Sequence, residues 1–371
     1  MTKTNSPVSD LILDSLSEGL YACDRERRII YWSKVAERIT GWSAEDVVGH
    51  CCHDNILNHV DKDGHLLCGE EFCPLHRSMV TGRASTTPVI LFGLKKAGGR
   101  VPLEVSVAPL CDTTGNVIGG VETFRDFSNT FVKLEQAKRI QTLSMEQELS
   151  PDPRLSIATF YLPHDIIGGD YFGIRQLDKD NYGFILADVM GHGVAAALHT
   201  IHLDSLWNRY LATLSQPAKF ARLLNRDLCK IVKDESFATA ICGILNASKR
   251  VIRVVSAGAP GLLQVRRTGQ TKELVAPPSL PFGVMSGVDY EECEFTCSSG
   301  DSLLIFTDGA LEIHDAAGHM LGTEGLAEIL LDKLDYPHSR IRMESLHEAL
   351  LKFSNNIRLP DDLTLLEVRL T

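Results

Sequence analysis

The chain has 371 residues, of which 44% are hydrophobic and 23% charged, and its formal net charge at pH 7 is -11. This composition is typical of a globular protein with room for about two domains, and the negative charge argues against a nucleic-acid-binding surface spread over the whole protein. The N-terminus lacks a signal-peptide core, and no later segment approaches the roughly 18 uninterrupted apolar residues of a membrane span. We therefore expect a cytoplasmic protein without nucleic-acid or membrane partners.

The first third of the chain predicts an α+β domain. Residues 20–23 and 28–32 are short β-prone runs around the charged turn DRER, and residues 33–39 have the pattern of a short helix. Two longer runs, PLEVSVAPL and VIGGVETFRDF, follow on either side of the turn DTTGN. Strands, short helices and a closing hairpin indicate an antiparallel sheet with helices on it.

Between these runs lies a segment rich in thiols and imidazoles. It contains four of the ten cysteines, Cys51, Cys52, Cys68 and Cys73, and five histidines, His50, His53, His59, His65 and His76. Thiolates and imidazoles are ligands for soft and borderline metals, so these cysteines are candidate sensor ligands for an iron–sulfur cluster, a metal or another small ligand. Buried structural thiols beside surface histidines, or a reversible disulfide, are the alternatives.

Residues 129–150 predict a helix that joins two domains. The segment 129–149 lacks glycine and proline and is rich in helix formers, and the sequence SPDP then ends it. Its apolar residues recur every three positions: Phe131, Leu134, Ala137, Ile140 and Leu143. This spacing drifts around the helix and holds no heptad seam, so a dimerising coil is compatible with the sequence but not required.

The rest of the chain predicts a layered α/β sandwich. Two hairpins and two single runs have the pattern of buried strands. The hairpins are residues 171–177 with 182–189 and residues 237–245 with 250–258, and the single runs are residues 302–309 and 363–370. Helices fit residues 194–214, 219–233 and 343–355. Long hairpins with helices between them indicate antiparallel sheets flanked by helices, not a doubly wound parallel sheet.

Four aspartates in this half lie beside glycines, turns or strand boundaries: Asp170, Asp188, Asp308 and Asp361. Strand ends bring carboxylates that are distant in sequence to one edge of a sheet. Held that close, they repel one another and their pKa values rise unless a cation compensates them. All-oxygen ligands favour Mg²⁺ or Mn²⁺, and a pair of such ions activates water and clamps a phosphoryl group. A single aspartate at a strand end is otherwise a turn or helix cap.

The order of the motifs GGDYFG, ADVMGHGVAAAL, FATAICGILN, SAGAPGLL, FTDGALE and PDDLTLLEV resembles the SpoIIE-type metal-dependent protein serine/threonine phosphatases, which have the PPM fold. The resemblance covers roughly residues 155–371 of the predicted domain 151–371. It implies that Asp188 bridges two Mn²⁺ or Mg²⁺ ions and that the Val189 carbonyl binds one of them. Asp308 and Asp361 would bind the other ion. Asp170 would hold metal-bound water, either directly or by contacting residues that bind the metal. Asp170 and Asp188 are thus the catalytic residues.

The same resemblance assigns three glycines, Gly169, Gly191 and Gly193, to the loop beside the metals. There are departures from the family pattern. Ala259 stands where the family commonly has a histidine, and Met190 stands where eukaryotic relatives have a candidate general acid. His192 is a nearby candidate for proton transfer, or an exposed loop histidine.

Residues 7–128 resemble a PAS sensor domain, most specifically in ITGWSAEDVVG. This resemblance implies a small ligand or cofactor, dimerisation, and a signal passed through the C-terminal helix. The combined prediction is a homodimeric enzyme under PAS control with domains at 7–128 and 151–371 joined by helix 129–150. Its implied substrate is a phosphoserine or phosphothreonine on a regulatory protein, such as an anti-sigma factor antagonist of the STAS type.

Parts of the sequence are compatible with two other functions. GGDYF resembles the loop of diguanylate cyclases, but the roughly 20 residues between the helix and that loop are too few for such a domain, and FTDG and DDLT stay unexplained. A catalytically degenerate phosphatase fold that binds partners is the second alternative.

Overall fold

The computed structural model describes residues 15–69, 72–85, 87–145, 149–191, 193–232, 236–332, 334–335, 340–341, 343–356 and 358–371. The chain divides into two units, Met1–Leu134 and Glu135–Thr371. The division falls inside a helix, Ser128–Met145, that occupies most of the predicted linker. The domain limits 7–128, 129–150 and 151–371 stay a prediction, and residues 7–14 and 146–148 lie outside the described residues.

The first unit is built on a five-stranded antiparallel sheet in the order β2-β1-β5-β4-β3. Its strands are β1 Gly19–Asp24, β2 Ile29–Trp32, β3 Val89–Leu94, β4 Arg100–Cys111 and β5 Val117–Asp126, and its helices are α1 Lys34–Thr40, α2 Ala44–Val47 and α3 Pro74–Thr81. The predicted strands and the first predicted helix are therefore present. Strand β3 and helix α3 are elements that the sequence pattern did not reveal.

Local chemistry fixes the short helices of this unit. The Ser33 side chain accepts a hydrogen bond from the Ala36 backbone N–H at the start of α1, and Gly41 ends the helix in the left-handed region at φ 78°. Ser43 and Asp46 form a capping box at the start of α2. Each cap satisfies backbone groups that a short helix leaves unpaired, so sequence-local signals place these helices.

Strand β5 alternates between buried and exposed positions, and this alternation defines the core of the first unit. Glu122 and Phe124 both face inward, at 1% exposure each, and the Phe124 ring packs near Trp32, with 6.3 Å between ring centroids. Tyr21 on β1 lies against the same face. A carboxylate therefore occupies a position that the strand period assigns to the core.

Helix α4, Ser128–Met145, has buried side chains at Gln141 and Met145. Met145 belongs to the core of the second unit. The Gln141 amide donates hydrogen bonds to the Gly168 carbonyl at 2.7 Å and to the Thr200 hydroxyl at 3.0 Å. The end of α4 is thereby attached to the loop that leads into Asp170.

The second unit contains two five-stranded antiparallel sheets, ordered β13-β10-β9-β8-β7 and β12-β11-β14-β17-β6, and a two-stranded ribbon. Its strands are β6 Leu155–Leu162, β7 Asp170–Gln176, β8 Asn181–Val189, β9 Ala238–Asn246, β10 Val251–Ala257, β11 Leu262–Val265, β12 Thr271–Leu274, β13 Cys293–Thr296, β14 Ser302–Phe306, β15 Leu334–Asp335, β16 Arg340–Ile341 and β17 Leu363–Leu370. Its longer helices are α5 Val194–Tyr210, α6 Pro217–Ile231, α7 Gly322–Asp332 and α8 Met343–Ser354.

Three apolar layers hold the second unit together. Helices α5 and α6 bury residues such as Trp207 and Phe220 against the first sheet. Residues such as Phe184 and Ile305 fill the space between the two sheets, and α7 and α8 bury Leu326 and others against the second sheet. The unit is a four-layered helix–sheet–sheet–helix sandwich, so the predicted fold class is confirmed.

Helix α6 carries an ionic network. Asp227, 6% exposed, accepts hydrogen bonds from Arg226 at 3.0 Å, from Lys230 at 2.7 Å and from the Tyr210 hydroxyl of α5. These donors hold the pKa of the Asp227 carboxyl well below its usual range. None of the helices in the described part of the chain combines the length and apolar character that a membrane crossing needs.

Candidate active site

The four predicted aspartates lie at or next to the ends of two neighbouring strands in each sheet. Asp170 begins β7 and is directly opposite Asp188 near the end of β8. In the other sheet, Asp308 follows the end of β14 and Asp361 precedes β17, the neighbouring strand. The sandwich brings carboxylates separated by almost two hundred residues to one edge, because both sheets end there.

Electrostatics show that these groups face one another. Burial raises the pKa of Asp188 to about 7, and the charges of Asp308 and Asp361 add to the effect. The pKa of Asp308 is raised by burial and then by Glu312 and Asp361. Groups that disfavour one another's ionisation in this way are compensated by a cation, which is the observation that makes this cluster fit a metal centre.

Asp170 lies beneath the cluster. It is 1% exposed, and its Oδ2 atom accepts hydrogen bonds from the hydroxyls of Thr307, at 2.9 Å, and Thr364. Burial and then the charge of Asp188 raise the pKa of Asp170, whereas the two hydroxyls lower it. One oxygen of Asp170 is thus held by two hydroxyls, and the role of Asp170 at the site stays a prediction.

Asp362 is a buried carboxylate whose charge acts on Asp170 and Asp188 and which the sequence pattern did not single out. Its carboxylate accepts hydrogen bonds from the backbone N–H groups of His164 at 2.6 Å and Gly169 at 2.5 Å. The adjacent Asp361 is exposed and accepts from the Asp362 N–H at 2.8 Å. Asp362 is thus bound to the loop before Asp170, and the charges of both Asp361 and Asp362 raise the pKa of Asp188. The doublet itself was the available signal.

Glu312 is a second missed carboxylate. It is exposed and lies four residues after Asp308, and its backbone N–H donates to the Asp308 carbonyl at 2.9 Å. Its charge raises the pKa of both Asp188 and Asp308. The sequence FTDGALE contained this signal, because a residue four positions on returns to the same side of a helical turn.

The glycines of the site allow close backbone approach. A Cβ on Gly169 would lie 2.8 Å from the Val189 carbonyl oxygen and 3.2 Å from the Ala196 Cβ at the start of α5. Gly191 and Gly193 have φ angles of 91° and 81°, which favour glycine. His192 lies outside the described residues. Met190 is exposed at 43%.

The carboxylates of the cluster are spaced more widely than the ligands of a single small ion. In the described ranges, three potential ligand atoms lie within 4.8 Å of one another only in the group Asp61, Asp63 and His65 of the first unit. That group is a turn, in which Asp61 accepts from the backbone N–H groups of the other two at 2.9 Å.

The four predicted thiol ligands all lie in the first unit. Cys52, Cys68 and Cys73 interact electrostatically with one another and with Glu122. Cys51 is only partly buried, and its thiol is 3.6 Å from the Glu26 carbonyl oxygen. All ten cysteines of the chain are unpaired thiols. Their assignment to a metal or cluster stays a prediction.

Comparisons with known proteins add sequence and fold relationships. Residues 178–371 match the family described as Stage II sporulation protein E (SpoIIE), and residues 13–130 match the PAS fold. The chain is 30% identical over 188 residues to the phosphoserine phosphatase RsbP of Bacillus subtilis (strain 168), covering 50% of this chain and 46% of RsbP. It is 24% identical over 238 residues to the phosphoserine phosphatase RsbU of the same organism, covering 64% of this chain and 70% of RsbU. The chain thus spans less than half the length of RsbP.

Two solved structures share the fold of the second unit. The SiaA-PP2C domain of Pseudomonas aeruginosa aligns with a TM-score of 0.56 at 20% identity, over 66% of this chain and 98% of that domain. The PP2C phosphatase domain of SpoIIE from Bacillus subtilis, with a fragment of its regulatory domain, aligns with a TM-score of 0.52 at 15% identity, over 77% of this chain and 80% of that one. At these identities the likeness establishes a PP2C-like fold alone.

Proposed function

Because the chain belongs to the SpoIIE family and has a PAS fold N-terminal to its SpoIIE region, we propose that it is a Mn²⁺- or Mg²⁺-dependent protein serine/threonine phosphatase under PAS control. The substrate in this proposal is a phosphoserine or phosphothreonine on a regulatory protein, such as an anti-sigma factor antagonist of the STAS type. The similarity to RsbP and RsbU, both named phosphoserine phosphatases, supports the reaction class.

The observation that carries the proposal is the set of aspartates at one edge of the sandwich. Asp188 lies opposite Asp170 in one sheet, and its ionisation is disfavoured by Asp308 and Asp361 from the other. Oxygen donors alone suit Mg²⁺ or Mn²⁺. When bound, two such ions supply the positive charge that activates water and stabilises the phosphoryl group during in-line displacement.

Each carboxylate has a distinct task in this proposal. Asp188, the Val189 carbonyl, Asp308 and Asp361 would supply the oxygen ligands that hold the metal ions. Asp170, whose carboxylate accepts hydrogen bonds from the hydroxyls of Thr307 and Thr364, orients the neighbouring carboxylates. No side chain forms a covalent bond to phosphorus.

The loops that hold the site are themselves fixed by buried contacts. Asp362 binds the backbone N–H of Gly169, and Gln141 near the end of α4 binds the Gly168 carbonyl. A displacement of α4 would therefore act directly on the chain segment that enters Asp170. This connection supports control through the helix, which the PAS resemblance implies.

The proposal includes a homodimer and a cytoplasmic location. PAS domains commonly dimerise, and reduced cysteines are typical of a reducing compartment, which fits ten unpaired thiols. The oligomeric state is measured by light scattering on the full chain.

The test is phosphate release from a phosphoserine peptide by the full chain with Mn²⁺, with EDTA, and in Asp308→Asn. We expect turnover with Mn²⁺, none with EDTA, and a large loss in the variant. Metal-independent capture of an unphosphorylated partner without any turnover would instead establish the degenerate, partner-binding alternative.

A further inference from the structure

Apolar side chains continue from the aspartate cluster along the edge of the first sheet of the second unit. Strand β8 pairs with β9 up to Val189, which lies opposite Ala238. The pairing extends one residue beyond the end of β8, because the Met190 N–H donates to the Phe237 carbonyl at 2.9 Å. Met190 therefore lies opposite Phe237 at the same edge of the sheet as the aspartates.

Met190 shares a face of the sheet with Asp188. Successive side chains of a strand point to opposite faces, so residues two positions apart lie on one face. Asp188 and Met190 are such a pair, and Phe237 shares their face because directly opposite residues of paired strands point the same way. At a rise of about 3.3 Å per residue, the Met190 Cα is about 7 Å from the Asp188 Cα. Two apolar side chains thus flank the proposed catalytic carboxylate.

A third backbone segment, residues 282–285, runs beside these two. Phe282 and Ala238 exchange backbone hydrogen bonds of 2.8 Å in both directions. A Cβ on the next residue, Gly283, would lie 3.5 Å from the Phe237 Cα. The three neighbouring segments span two strand spacings, or about 10 Å, so the third segment is within reach of a protein bound at the aspartates.

A buried amide holds the third segment in place. Asn225 of α6 is 1% exposed, and it donates to the Met285 carbonyl and accepts from the Gly283 N–H, both at 2.9 Å. A buried side chain that pairs with both backbone groups fixes the conformation of this loop. The side chains of Val284 and Met285 are nevertheless 50% and 54% exposed. The fixed backbone therefore presents two apolar side chains to solvent.

The exposed side chains at this edge are apolar and uncharged. Met190 is 43% exposed, and neither residues 189–191 nor residues 280–285 include a charged side chain. Neighbouring exposed apolar groups mark contacts with other molecules, and methionine is enriched in protein interfaces, where its flexible side chain adapts to a partner. A protein whose phosphoserine reaches the aspartates has to cover these side chains, because both lie at one edge of the sandwich.

We propose that Met190, Phe237, Val284 and Met285, the apolar row, contact the residues that flank the phosphoserine of a protein substrate, and that these flanking residues are apolar. The inference rests on the proposed phosphatase function and adds a sequence preference at the same site. An apolar flanking residue removes apolar surface of both partners from water, whereas a strongly hydrated one would lose its hydration and gain no polar partner in the row.

The test compares two phosphoserine peptides as substrates of the full chain with Mn²⁺. The peptides differ only in the residues on either side of the phosphoserine, which are leucine in one and glutamine in the other. We expect kcat/KM to be about tenfold higher for the leucine peptide, mainly through a lower KM. Hydrolysis of p-nitrophenyl phosphate with a peptide ratio near one would overturn this inference alone. If neither peptide nor p-nitrophenyl phosphate is hydrolysed, the proposed function is wrong and this inference is wrong with it.

Variants then identify the residues that set the preference. Met190→Gln and Val284→Thr keep the side-chain size and introduce polar atoms, and each should lower the leucine-to-glutamine ratio about threefold or more. The ratio is taken within one variant, so a general loss of activity cancels, and the wild-type ratio decides if a variant fails to fold. Val80→Thr makes the matched change at a valine of the first unit that is 71% exposed, and it should keep the wild-type ratio. Wild-type ratios in Met190→Gln and Val284→Thr would contradict the assignment. An unchanged ratio with an altered oligomeric state in light scattering would show that the apolar row contacts a second copy of the chain instead.

Discussion

The buried negative charge of Asp188 should destabilise the metal-free protein, although the proposed metal-dependent reaction requires this carboxylate. Its pKa is raised from 3.8 to about 7 by burial and then by Asp308 and Asp361. A difference of about 3 pKa units corresponds to about 4 kcal/mol, and partial exposure to water reduces this to about 3 kcal/mol. We therefore expect Asp188→Asn to stabilise the metal-free protein at pH 8 by about that amount, or roughly 10 °C in melting temperature for a unit of this size.

The sign follows from proton linkage. Because the folded-state pKa is raised, the contribution of Asp188 to stability is fully present below its unfolded value near 3.8 and is lost as the pH rises through about 7. The advantage of Asp188→Asn should thus be large at pH 8 and small at pH 4. Mn²⁺ at pH 8 should reverse the order, because only the wild type retains the central ligand.

The assay is differential scanning calorimetry of the full chain in EDTA at pH 4, 6 and 8, repeated with Mn²⁺ at pH 8. The transition that shifts with Mn²⁺ identifies the second unit. Glu291→Gln, which removes an exposed carboxylate outside the cluster, is the control and should melt like the wild type. If metal-free Asp188→Asn melts at or below the wild type at pH 8, the aspartates do not repel one another as the geometry requires.

Three further predictions concern the supports of the site. Thr364→Val removes one hydroxyl from Asp170, raises the pKa of that carboxyl further, and should weaken Mn²⁺ binding about tenfold, measured by calorimetric titration; unchanged affinity would refute the role. Gly309→Ala places a Cβ 1.9 Å from the Asp362 carbonyl oxygen and should destabilise the second unit by about 3 kcal/mol in urea unfolding, unlike an exposed alanine substitution. Asp227→Asn should cost about 2 kcal/mol at pH 7, and this cost should decline as the pH falls from about 3.8 through the depressed folded-state pKa of Asp227, below which it vanishes. A cost that shows no decline as the pH falls below about 3.8 would mean that packing, not charge, is responsible.

The strand-end carboxylates could be predicted from the sequence because continuous apolar runs mark where buried strands end. Asp170, Asp188, Asp308 and Asp361 each interrupt or adjoin such a run, and the fold brings them to one edge. The hairpins and most helices of the second unit were predicted for the same reason, since their apolar patterns are long. Short elements such as β11 and β12 carry only four residues each and give too weak a pattern.

What the sequence could not show is the direction of side chains across the two sheets. Which of Asp361 and Asp362 is buried depends on the backbone turn before β17, and Asp362 is the one that accepts hydrogen bonds from His164 and Gly169. The pairing of His59 with Glu122 joins a loop to a strand far along the chain. No local repeat in the sequence encodes such a contact. The cysteine-rich segment therefore gave no indication that Glu122 lies beside His59.

The most direct test of the central claim is the rate of phosphate release from a phosphoserine peptide as a function of Mn²⁺ concentration, for the full chain, Asp188→Asn and the Glu291→Gln control. We predict a rate that saturates with Mn²⁺ in the wild type and control and falls about a thousandfold in Asp188→Asn, as expected for about 4 kcal/mol of lost transition-state stabilisation. Turnover in Asp188→Asn equal to the wild type, or wild-type turnover that persists in EDTA, would contradict a metal-dependent phosphatase centred on Asp188.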